Sequence, residues 1–96
     1  MELMRIEIDG VIFQGIQLQT EHASILLIQG RKANLGCGYF STMPADKLGD
    51  RFAIVTGVKC FDDMLQAKVL HLSKAAEQSG VSASMTGREA LLQMEQ

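Results

Sequence analysis

Met4-Arg5-Ile6-Glu7-Ile8-Asp9-Gly10-Val11-Ile12-Phe13 decides the fold class of this chain. Met4, Ile6 and Ile8 alternate with Arg5, Glu7 and Asp9, the pattern that puts apolar side chains on one face of a strand. Asp9-Gly10 then supplies a pair that favours positive φ, and Val11-Ile12-Phe13 resumes the apolar pattern at once. The stretch reads as a β-hairpin. Gly15, just beyond it, is expected as a bulge where the inward phase passes from Phe13 to Ile16.

Working outward, Ala23 to Ile28 reads as a third, central strand buried on both sides, because Ile25 to Ile28 leave no polar face before Gln29. Gly30-Arg31-Lys32 turns the chain into a fourth strand, Ala33 to Phe40, and completes a four-stranded meander. Beyond Ser41-Thr42 the spacing becomes helical. Leu48, Phe52 and Val55 follow Pro44, whose missing N–H is tolerated in a first turn, and Gly57 closes that helix. Phe61, Met64 and Leu65 mark a second helix. Val69, Leu72, Ala75 and Ala76 mark a third that stops at Gly80, with a strand over Val69 to Leu72 as the alternative. Val81, Ala83 and Met85 alternate with serines as a fifth strand.

Thr86-Gly87-Arg88-Glu89 opens the last helix as a capping box, in which the Thr86 hydroxyl accepts from the Glu89 N–H and the Glu89 carboxylate accepts from the Thr86 N–H. The fold class that results is α+β. It comprises a mainly antiparallel sheet of about five strands, with an N-terminal four-stranded meander and three or four helices packed mostly on one face.

Ninety-six residues are expected to form one domain, 1–96. With 47% hydrophobic and 21% charged residues, the chain is too apolar for a disordered tail and too interrupted by charge for a membrane protein. Its longest apolar strand-like run, Ile25 to Ile28, is far below the roughly 20 residues needed to span a bilayer, and the start lacks a signal-peptide apolar region. A cytoplasmic location is the expectation. A net charge of −2 argues against nucleic-acid binding, which draws its affinity from clustered Lys and Arg. Cys37 and Cys60 lack Cys-x-x-Cys or Cys/His spacing, so no metal site, disulfide framework or cofactor is signalled.

The residues that could carry chemistry lie in two segments. In Leu35-Gly36-Cys37-Gly38-Tyr39-Phe40 a thiol stands between two glycines, whose bare surface admits a close neighbour. Strand alternation places Cys37 on the face opposite Gly36 and Gly38. Cys37 is the candidate catalytic thiol, and Gly36 and Gly38 are candidate ligand contacts. The plainer alternative is a small buried hydrophobe beside glycines that serve packing. At the last helix start, Thr86, Gly87 and Arg88 are the candidates for holding a small anion through backbone N–H groups and a guanidinium. Asp62-Asp63 suit the N-terminal charge of a helix, Cys60 reads as structural or exposed, His71 has no ligand-type partner at i+4, and His22 reads as part of a turn.

Leu35 to Phe40, Gly57-Val58-Lys59-Cys60-Phe61-Asp62-Asp63-Met64-Leu65 and Met85-Thr86-Gly87-Arg88-Glu89-Ala90-Leu91 together resemble the YunC-like family of small bacterial and archaeal domains of unknown function. The last of these segments is the most specific. The resemblance implies a small α+β domain with a Cys-Gly pair, Cys37-Gly38, and a Gly-Arg-Glu helix start at Gly87, Arg88 and Glu89. It implies no substrate, cofactor or catalytic residue.

Two functions are compatible with these residues. One is a non-catalytic binding or assembly module that contacts a partner or another copy, as a homo-oligomer, through the glycine-bare sheet face and the last helix. The other is a thiol-dependent small-molecule enzyme or sensor, with Cys37 as nucleophile and the Gly87 backbone and Arg88 holding an anionic substrate. The convergence of the Cys37 sulfur and the Arg88 guanidinium in an open pocket separates them.

Overall fold

The computed structural model describes residues 1–96 and contains six strands and four helices. In chain order these are β1 (Glu2–Ile8), β2 (Val11–Gln19), β3 (Ser24–Gln29), β4 (Asn34–Gly36), α1 (Met43–Leu48), β5 (Ala53–Ile54), α2 (Phe61–Gln66), β6 (His71–Leu72), α3 (Lys74–Gln78) and α4 (Gly87–Glu95). The strands form one sheet in sequence order, antiparallel throughout except for the β4–β5 pair. The fold is α+β, and its first four strands are the expected meander. Asp9 and Gly10 turn the hairpin at φ 50° and 80°, the left-handed pair that matches strand twist.

Two rows of paired residues cross the whole sheet on opposite faces. On the core face, Met4, Gly15, Ile28, Leu35, Ala53 and Leu72 stand side by side; on the outer face, Leu3, Ile16, Leu27, Gly36, Ile54 and His71 do so. Phe13, Leu26, Ile28 and Leu35 of the core face meet Met64 of α2, Ala76 of α3, and Ala90, Leu91 and Met94 of α4 in one buried cluster. Each large side chain so enclosed contributes about 1.5–3 kcal/mol. Ala45 of α1 and Ile54 are also buried but stand outside that cluster. The 37–52 connection carries α1, and its Phe40 and Phe52 lie against Gly36 on the outer face. A parallel pair requires such a crossover.

Several sequence expectations are corrected. Gly15 is no bulge: the β1–β2 register is unbroken, and Gly15 faces the core because the Phe61 ring occupies the space of its absent side chain. The fourth strand ends at Gly36, where Cys37 to Tyr39 turn, although the Cys37 N–H still bonds the Leu26 carbonyl at 3.1 Å. The first helix stops at Gly49, whose φ of 81° ends it, and Phe52 and Val55 belong to the β5 region rather than to a longer helix. Within Val69 to Leu72 only His71 and Leu72 form a strand, so α3 starts only after Ser73. Ser73 is fully buried; its hydroxyl accepts from the Phe52 and Ala76 N–H groups and donates to the Asp50 carbonyl, fastening β5 to α3. Val81 to Met85 form turns, with one bridge between Lys68 and Thr86 in place of a fifth strand.

Candidate functional site

The two candidate segments do meet, through their apolar members. Leu35 of β4 lies against Gly87 at the start of α4, where an added Cβ would stand 2.8 Å from Leu35 Cδ2 and would overlap the Met64 carbonyl oxygen of α2. Gly87 is the point at which α4 closes on α2. Its N–H donates to the Ala67 carbonyl at 2.8 Å, so the first donor of the helix is engaged inside the protein.

The polar members of the two segments face elsewhere. Cys37 is buried in the core cluster, and its Sγ accepts the Leu26 N–H at 3.3 Å. The Arg88 guanidinium reaches the hairpin turn and donates to Asp9 Oδ1 at 2.6 Å. Thr86 and Glu89 form the expected capping box. The Thr86 backbone N–H, and then its hydroxyl, hold the Glu89 carboxyl below the ordinary range. Gly36 is covered by the half-buried Phe40 and Phe52 rings, 5.6 Å apart. Gly38 is exposed, and a Cβ there would meet only the Thr56 methyl at 3.4 Å. None of the four surface concavities is lined by Cys37, Gly87 or Arg88.

The thiols are therefore expected to differ sharply under native conditions, since Cys60 is exposed and Cys37 is not. Alkylation counted by mass should modify Cys60 alone in the folded protein and both thiols in denaturant. Modification of Cys37 at a rate matching Cys60 would contradict the burial.

A polar clasp that the sequence reading passed over stands at the other end of α4. The Glu95 carboxylate accepts three successive backbone N–H groups of the β3–β4 turn, from Arg31 at 2.7 Å, Lys32 at 2.9 Å and Ala33 at 3.0 Å. Partial burial alone would raise its pKa, but these bonds outweigh that effect and hold it below the ordinary value. Arg51 Nη1 meanwhile donates to the Met94 carbonyl at 2.6 Å and the Gln96 carbonyl at 2.9 Å. One signal was available: a carboxylate in a last turn is disfavoured by the helix dipole unless something else holds it.

Residues 36–94 match the family model described as domain of unknown function DUF1805. The chain belongs to this family. The DUF1805 match begins at Gly36, the last residue of β4, and takes in the helices as far as Met94, including Cys37, Gly87 and Arg88. Two likenesses include the hairpin as well. The uncharacterized protein YunC of Bacillus subtilis (strain 168) is 28% identical over 98 residues, covering 98% of this chain and 97% of that protein. The crystal structure of TA1206, a protein of unknown function from Thermoplasma acidophilum, superposes with a TM-score of 0.91 at 33% identity, over 97% of this chain and 91% of that one. The TA1206 superposition thus reaches back over strands that precede the matched family segment.

Proposed function

We propose that the chain is an assembly module with no chemical step of its own, and that the partner it takes is a second copy of itself. The observation that carries this reading is the uncovered half of the outer sheet row. Gly36 and Ile54 of that row lie under Phe40 or are buried, whereas Leu3 is 61% exposed and Leu18, two residues along β2 from Leu3's partner Ile16, is 43% exposed. Ile16 and Leu27 stand between them, half-buried, on strands that carry no helix on this side. A clustered apolar surface of this kind marks contact with another protein. Closed two-fold dimers are the commonest solution. The internal engagement of Cys37 and Arg88 weighs in the same direction.

Sedimentation equilibrium across a concentration series tests the reading. The expected mass rises from 10.5 kDa towards twice that value. A mass of 10.5 kDa at every concentration would overturn it.

A further inference from the structure

We propose that β1 pairs edge to edge with β1 of a second copy, antiparallel about Ile6, so that Arg5 of each chain faces the partner's Glu7. This rests on the assembly reading above and specifies its geometry.

β1 has a neighbour on one side only, and its free edge is seven residues long, against two for β6 at the opposite edge. Exposed edges of that length are ordinarily blunted by charged side chains, proline, a bulge or a covering element, and β1 carries charge at Glu2, Arg5 and Glu7. β1 contains no proline, and its register with β2 runs unbroken from Glu2 to Ile8. The direction of its peptide groups follows from the turn. A two-residue left-handed turn closes on the Ile8–Val11 pair, so Ile8, Ile6 and Met4 direct their N–H and C=O groups to β2. Leu3, Arg5 and Glu7 direct theirs to the free edge.

Charge selects the register. Arg5 and Glu7 share the outer face with Leu3, and neither forms an ion pair within the chain, whose only such pairs are Glu21–His22 and Asp9–Arg88. Centred on Ile6, antiparallel pairing brings two Arg5–Glu7 pairs directly opposite each other. It also sets Ile6 against the partner's Ile6 and Met4, 56% exposed, against the partner's Ile8. Centring on Arg5 would oppose the two arginines, and centring on Glu7 the two glutamates. Like charges directly opposite are destabilising, and opposite charges there are favourable. The product is one continuous sheet made of two six-stranded sheets, with both uncovered apolar rows on the same side.

Charge reversal distinguishes this arrangement from any other dimer. Arg5→Glu or Glu7→Arg alone should raise the dimer dissociation constant about tenfold or more, because each reverses two opposed pairs. The double variant R5E/E7R should return it to within about threefold of the wild type. Hydrogen exchange on the unmodified chain gives a second readout: the Leu3, Arg5 and Glu7 amides should gain protection as concentration rises. A dimer indifferent to R5E and E7R, or one without that protection, overturns the edge pairing and leaves the assembly reading standing. A monomer throughout overturns both.

Discussion

Gly87→Ala is expected to destabilise the fold by about 3 kcal/mol or more, a large share of the roughly 5–15 kcal/mol that holds a domain of this size together. By helix propensity alone the change would be favourable by up to about 1 kcal/mol. The surroundings reverse the sign. The new methyl would overlap the Met64 carbonyl oxygen, which is backbone and belongs to another helix, and would press on Leu35 of the sheet. Relief requires α4 to lift from α2, and that movement strains the Gly87 N–H bond to Ala67. Thermal unfolding should show a midpoint lowered by about 12 °C or more. Gly36→Ala is the comparison, because the atoms nearest its methyl would belong to the Phe40 and Phe52 rings, half-buried side chains that can tilt outward. A Gly87→Ala protein as stable as Gly36→Ala would show that the helix contact is looser than described.

Glu95→Ala is expected to lower stability by about 2 kcal/mol, less than three charge-assisted bonds would suggest because water can reach part of the turn. Its pH dependence is the more telling result. The folded-state pKa of Glu95 lies below its ordinary value of 4.5, so the unfolded chain takes up the proton first as pH falls. The stabilisation is therefore complete above the unfolded pKa and is lost as pH drops through the folded one. Glu89 titrates in the same sense. Urea unfolding of Glu95→Gln against pH should give a shallower acid limb than the wild type, with the difference confined below about pH 4.5. A limb of unchanged slope would mean that the carboxylate is not held as described. Gly30 supplies a cross-check, since a methyl there would overlap the Glu95 carboxylate. Gly30→Ala should cost far less in the Glu95→Ala background than in the wild type.

Local chemistry made much of this fold legible. Asp9-Gly10 specifies its turn through backbone conformation, and Thr86 and Glu89 specify a helix start by bonding each other, so neither depends on distant partners. Other elements are decided by tertiary contacts. Ala53 and Ile54 form a strand because β4 and β6 lie on either side, and no periodicity in two residues can reveal that. Gly15 looked like a defect in the strand because Phe61, which covers it, lies far along the sequence. The same reasoning applies to the candidate site. Sequence points to Cys37, Gly87 and Arg88, and each has a contact within the fold, with Leu26, Met64 and Asp9 in turn. Glu95 went unremarked because its partners are backbone groups, which every residue but proline carries.

The Glu95 clasp also bears on the order in which the chain assembles. Its bond to the Arg31 N–H spans 64 residues, and the turn it holds joins two strands near the middle of the sheet. A contact of that span forms only after a long loop has been closed, so the hairpin can collapse early on its own turn while the β3–β4 corner sets late. The chain is thus expected to fold from its N-terminal hairpin and to lock with its last helix.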